Sequence, residues 1–132
     1  MKVLVFELAE ERFAMKNDCV KDVFTVNQFF IAENLQEFYT IIDLRRLFNY
    51  SVVWHESVKA ITTVFDSLFV VDEVLGILEA DSIIPGQDKN DLIEGIIEID
   101  GEIIYYLSAD NITKNAVGWF RNFGFISLQN RF

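Results

Sequence analysis

Cysteine and histidine are the scarcest chemistry-bearing residues of this 132-residue sequence: Cys19 and His55 are the single examples of each. One cysteine excludes an internal disulfide framework and a cysteine metal cluster, and Cys19 reads as a small buried or half-buried residue. One histidine leaves no second imidazole for a metal site. A nucleophile–base pair is limited to Cys19 and His55, and nothing in their context activates the thiol. His55 reads as a solvated loop side chain. There is no glycine-rich phosphate loop, no Gly-x-Ser-x-Gly, no His-Glu-x-x-His and no Cys-x-x-Cys. The expectation is a protein that is not an enzyme and uses no cofactor or metal.

Positive charge and long apolar runs are also short. Eleven Lys and Arg stand against 21 Asp and Glu, for a net charge of −10. Phosphate binding needs a basic face, so nucleic acid is not an expected partner. The apolar runs fall well below the roughly 20 residues that a bilayer span requires. The stretch from Met1 to Phe6 has some look of a leader, but Glu7, Glu10 and Glu11 interrupt it at once. The reading is a soluble cytoplasmic domain without direct membrane insertion. The charge is uneven: all 21 acids lie at or before Asp110, while Lys114, Arg121 and Arg131 follow with no acid among them. A basic tail beside an acidic body can dock on it or on a neighbour.

Hydrophobic residues, in contrast, make up 52% of the chain and include 13 Phe. One domain of this length buries about two thirds of its unfolded surface. The chain is organised around Tyr39 to Phe48, Tyr-Thr-Ile-Ile-Asp-Leu-Arg-Arg-Leu-Phe. Its first half is apolar and partly β-branched, which predicts a buried strand. Asp43 then stands at a helix N-cap, where a carboxylate accepts free backbone N–H groups. Leu44, Leu47 and Phe48 share one face of the turn that follows, and Asn49 ends it in a left-handed conformation. Asp43 and Arg45 are read as residues that hold the fold.

Taken in order, Lys2 to Leu8 reads as a strand, Ala9 to Arg12 as a turn and Phe13 to Met15 as the start of the return strand. Asn17 and Asp18 cap a short turn over Cys19 to Phe24, with Val20, Val23 and Phe24 on one face. Val58 to Phe65 and Leu68 to Leu78 read as two strands joined at Asp66-Ser67. Adjacent Asp72 and Glu73 point to opposite faces of a strand, so they do not form a facing carboxylate pair for acid–base chemistry; one is expected to be solvated and the other to cap or pair at an edge. Asp81-Ser82 and Pro85-Gly86 are turn signals, and Gln87 to Asp91 is a polar loop. Leu92 to Glu98 and Glu102 to Leu107 form a hairpin through Asp100-Gly101. Ser108 to Phe123 reads as a terminal helix capped by Ser108 or Asp110, with Gly124 as its stop. About ten strands with short loops and little helix predict an all-β domain of small barrels.

Several of these blocks together carry a resemblance to the CheW-like family, the coupling domains of bacterial chemotaxis. Ile41-Ile42-Asp43-Leu44-Arg45-Arg46-Leu47-Phe48 resembles the family's strand ending in Val-Ile-Asp-Leu-Arg-Arg-Leu-Phe. Phe69-Val-Val-Asp-Glu-Val-Leu-Gly-Ile-Leu78 is similar to its Val-Asp-x-Val-x-Gly-Val strand. Val5 to Leu8 with Glu11 to Met15 is similar to its first hairpin, and Ile93 to Ile104 to its late hairpin with an Asp-Gly turn. The blocks follow the family's order and span roughly residues 3 to 112. The resemblance departs at Phe30 to Glu37, where the family pattern is Gly-Val-x-Asn-Leu-Arg-Gly. One register sets Asn34-Leu35-Gln36 on Asn-Leu-Arg; another, counted back from Asp43, sets Leu35 on the arginine. In both, the arginine and the two glycines are missing.

The resemblance implies two five-stranded SH3-like β-barrel subdomains packed around a shared core. It also implies short helices, one of them C-terminal, in a single domain over residues 1–132. Residues 113–132, a helix and an aromatic tail, lie beyond the resemblance. It further implies a scaffold that links the cytoplasmic tip of a chemoreceptor to the regulatory domain of a CheA-type histidine kinase at membrane-associated arrays. Partner contacts carried over from the family, or chosen for polarity and position, are Val20, Asp22, Val23, Asn34, Leu35, Gln36, Asp72 and Glu73. Val20 and Val23 read equally well as core. The alternative is a divergent CheW-like adaptor or self-assembling array component, with self-association through residues 125–132; that aromatic tail reads either as a strap over its own core or as a docking element. A small-molecule-binding barrel is a further class, which a polar internal cavity would mark and which a Phe-rich interior tends to fill.

Overall fold

In the computed structural model, residues 1–27, 38–86 and 92–123 are described, with side chains to residue 116. They form ten strands: β1 (Lys2–Leu8), β2 (Glu11–Lys16), β3 (Val20–Thr25), β4 (Thr40–Asp43), β5 (Lys59–Thr63), β6 (Ser67–Val71), β7 (Glu73–Glu79), β8 (Ile84–Pro85), β9 (Ile93–Ile99) and β10 (Glu102–Leu107). A short helix α1 (Leu44–Leu47) follows β4, and the helix α2 (Ala109–Phe123) follows β10. Hydrogen bonding divides the strands into a six-stranded sheet, β7-β1-β2-β10-β9-β8, and a four-stranded sheet, β3-β5-β6-β4. The architecture is the expected all-β one of two subdomains with few helices.

Both faces of several strands are buried, and this explains their unbroken apolar runs. Along β1, Leu4, Phe6 and Leu8 enter a core shared with Ile42, Leu44, Ile61, Phe69 and Val71 of the other sheet. The alternate residues Val3 and Val5 enter a second cluster with Ala14, Ile97 and Ile104. β6 divides the same way, Phe69 and Val71 to the shared core and Leu68 and Val70 to a third cluster with Ile41, Val58 and Ala60. Period-two alternation thus sends each strand's side chains to two cores rather than to a core and solvent. Aromatic contacts close the shared core: the Phe13 ring lies 5.5 Å from Phe48 and 5.4 Å from Tyr105.

The turns follow their residues. Asp100 and Gly101 both take positive φ, 52° and 80°, the geometry that a two-residue hairpin between twisted strands requires. Asn49 takes φ 63° after α1, and the Ser108 Oγ accepts the Asn111 N–H at 3.1 Å to cap α2.

Three expectations are corrected. Val20 to Phe24 is a strand and not a helical turn; only Asn17–Cys19 form a short 3-10 turn. The spacing of Val20 and Val23 mimics a helix because the β3–β5 register slips at Lys21: Val20 lies opposite Thr63 and Asp22 opposite Thr62. The extra residue brings Val20 and Val23 to one face of a strand. The run from Leu68 to Leu78 is not one strand. It breaks at Asp72, and β7 crosses to pair with β1 while β6 stays with β4 and β5. Leu47, expected on the apolar face of α1, is 38% exposed, while Leu44 is buried and Phe48 half-buried.

Helix α2 is pinned to the four-stranded sheet by buried hydroxyls. The Thr63 and Ser67 oxygens lie 2.6 Å apart, Thr113 Oγ1 lies 2.9 Å from Ser67 Oγ, and Thr113 Oγ1 lies 2.8 Å from the Ala109 carbonyl. Thr63 Oγ1 also accepts the Phe65 N–H at 3.2 Å. Thr113 is the donor both to Ser67 Oγ and to the Ala109 carbonyl. Thr113→Val keeps the shape but removes that donor and leaves the buried Ser67 hydroxyl one partner short. It is expected to lower stability by about 1–3 kcal/mol, read as a lower urea midpoint with an unchanged slope. An unchanged midpoint would show that the hydroxyl chain holds nothing.

Candidate functional site

The candidate site is built around one arginine. Arg45, the second residue of α1, is fully buried. Its backbone N–H donates to Asp43 Oδ1 at 3.0 Å, so the N-cap is made as the sequence suggests. Its guanidinium then grips the same carboxylate twice, Nε on Oδ1 at 3.0 Å and Nη2 on Oδ2 at 3.0 Å. The Nη1 donates to the Val53 carbonyl at 2.7 Å and to Asp72 Oδ1 at 3.1 Å. The Trp54 ring covers the guanidinium, 4.9 Å from its carbon. Burial alone would lower the Arg45 pKa; the hydrogen bonds and charges of Asp43 and Asp72 outweigh it and hold the group above its usual value.

Asp72 carries this network across to the six-stranded sheet. Its Oδ2 accepts the Ala9 N–H at 2.6 Å in the β1–β2 turn, and its own N–H donates to the Glu7 carbonyl at 3.1 Å. His55 completes the set, with Nε2 lying 3.3 Å from Asp72 Oδ1. Its Nδ1 accepts the Ser57 N–H at 3.2 Å, so the Nε2 bears the proton and donates to Asp72. The lone histidine is an exposed loop side chain, as the sequence suggests, and it also has Asp72 as a partner.

Around this network lies a surface cavity of about 530 Å³. Its lining includes Glu7, Asp72 and Glu73 and, from the segment after α1, Tyr50, Val53 and His55. The Tyr50 phenol is pushed up to about 12 by burial and by its hydrogen bond to Glu11. Arg45 is already committed to Asp43 and Asp72, so the cavity wall is acidic. The chemistry on offer is recognition by hydrogen bonds, charge and apolar contact. Among the described residues, no group of His, Cys, Asp and Glu is placed to hold a metal ion, and no helix is long and apolar enough to cross a membrane.

The proposed contact residues fall in three places. Val20, Asp22 and Val23 lie on β3, Val20 half-buried against the shared core and the other two exposed. Asp22 is tied at its backbone, donating from N–H to Thr62 Oγ1 at 3.0 Å, which leaves its carboxylate to solvent. Asp72 is half-buried in the Arg45 network, and Glu73 beside it is exposed. Asn34, Leu35 and Gln36 lie outside the described residues. The Arg45–Asp72 pair and the partnering of His55 escaped the sequence reading, because 27 and 17 residues separate the partners and no local periodicity links them. The available signal was indirect: an arginine on an apolar turn and an aspartate inside the apolar run Phe69 to Leu78 each need a partner.

The comparisons with known proteins agree on the fold. A family model described as CheW-like domain matches residues 2–117. Among solved structures, the chain is similar to the scaffolding protein TtCheW from Thermoanaerobacter tengcongensis, with a TM-score of 0.63 and 21% sequence identity over 80% of this chain and 87% of that one. No curated protein matches.

Removing the arginine should cost far more than removing the histidine. Arg45→Met leaves Asp43 buried without its counter-charge and is expected to lose about 3–5 kcal/mol. His55→Ala removes a contact at the surface and should lose less than about 1 kcal/mol. Urea unfolding of both variants checks the order; similar losses would mean that Arg45 does not hold the network together.

Proposed function

The chain belongs to the CheW-like domain family, and from that membership we propose that it is a chemotaxis coupling scaffold. It holds the cytoplasmic tip of a chemoreceptor and the regulatory domain of a CheA-type histidine kinase by non-covalent contacts. It works in the cytoplasm and is recruited to membrane-associated receptor arrays. The observation that carries this reading is β3, which turns Asp22 and Val23 outward on a strand whose backbone is already fixed to β5. A polar carboxylate beside an exposed valine, on a rigid strand, is a surface that binds without rearranging. Val20, Asn34, Leu35 and Gln36 extend it in the sequence. Asp72 and Glu73 supply a second, acidic contact beside the cavity.

A second reading keeps the fold and changes the partners. The segment before β4 has neither the arginine nor the glycines of the family's Asn-Leu-Arg-Gly pattern. A basic contact to one partner is therefore missing, which favours a divergent adaptor or a self-assembling array component.

Titration against the CheA-type regulatory domain of the same organism separates the two. Coupling predicts micromolar binding that Asp22→Lys weakens at least about tenfold, or about 1.4 kcal/mol. The variant should keep its unfolding midpoint, because Asp22 is exposed. No binding at about 100 μM would overturn the coupling role and leave the second reading.

A further inference from the structure

The two outer strands of the six-stranded sheet are finished differently. β8 is two residues long and contains Pro85, a residue that cannot donate to an added strand. β7 is seven residues long, and among the described residues it pairs with β1 alone. Among the described residues, no strand pairs with its other edge. Leu75, Ile77 and Leu78 are 41%, 55% and 42% exposed. The register to β1 sets Ile77 opposite Leu4, which faces the shared core, and Leu78 opposite Val3, which faces the second cluster. Apolar surface is therefore uncovered on both faces of this edge, a surface that an added strand would cover with alternate side chains.

Charge says what kind of strand fits. Glu73 and Glu79 bracket the apolar part of β7, and exposed Asp81 follows. An antiparallel pairing of β7 with β7 of a second copy would set Glu73 near the partner's acidic end, and like charges facing each other oppose it. The strand that fits is apolar, free of acids and basic. The chain contains one: residues 124–132 read Gly-Phe-Ile-Ser-Leu-Gln-Asn-Arg-Phe, and no acid occurs after Asp110. In an extended strand, Ile126 and Leu128 share one face and Phe125 takes the other. Extended, these residues reach about 30 Å at roughly 3.3 Å each, enough to run the length of β7.

We propose that the open edge of β7 in one copy accepts residues 124–132 of a second copy as an added strand. The contact is heterologous, since each copy offers one donor tail and one acceptor edge, and so it propagates into chains or rings rather than stopping at a two-fold dimer. It does not depend on the kinase and receptor contacts proposed above, and it uses a different surface.

Sedimentation velocity tests this with three proteins: the intact chain, the chain lacking residues 125–132, and Ile77→Lys. The intact chain is expected to grow in mass with concentration across the micromolar range, and each variant to stay a monomer. An equimolar mixture of the two variants should form a dimer and nothing larger, because one retains the edge and the other the tail. Leu75→Lys should behave as Ile77→Lys, and both should keep the native far-ultraviolet circular dichroism spectrum. A monomeric intact chain, a truncated chain that associates as the intact one does, or variants that fail to complement would each overturn the proposal.

Discussion

The buried charge of Arg45 is the constraint on which the rest of the structure depends. A guanidinium with no exposure must have its donors met inside the protein. Asp43, the Val53 carbonyl, Asp72 and the Trp54 face meet them. These partners come from three parts of the chain. Asp43 ends β4, Val53 and Trp54 lie in the segment after α1, and Asp72 is the residue at which the chain leaves one sheet for the other. Satisfying one side chain therefore fixes the position of three segments, and through the Ala9 N–H it fixes the β1–β2 turn as well.

The crossover at Asp72 is the second organising feature. β6 and β7 are separated by this one residue yet belong to different sheets. The aspartate that breaks the apolar run also supplies the counter-charge for Arg45, so the bend and the ion pair are a single device. β6 in one sheet and β1 in the other bury both faces, which gives the molecule one core between its sheets and one behind each of them. Burial of this kind favours a rigid body.

The surface divides its labour. β3 presents a carboxylate and a valine from a strand secured to β5, the cavity near His55 presents an acidic wall, and β7 presents apolar residues between acids. None of these places brings together a nucleophile, a base and an oxyanion donor. What they offer is charge, hydrogen bonds and apolar surface.

Local chemistry was legible in the sequence. The Asp43 cap, the left-handed Asn49, the Asp-Gly hairpin and the Ser108 cap each depend on a residue and its near neighbours, and each is where the sequence puts it. The strand count and the all-β class follow from apolar runs and turn residues. What depends on register and on long-range pairing was not legible. Val20 and Val23 share a face because of a bulge that only the pairing with β5 defines. The split of Leu68 to Leu78 depends on which sheet each half joins, and its apolar residues look alike from either side. His55 has a partner because the fold brings Asp72 to it across 17 residues. The sequence by itself determined the elements, the caps and the turns, since those energies act within a few residues. The tertiary structure decided which strands pair and which charges meet, since those depend on contacts that exist only after the chain has closed on itself.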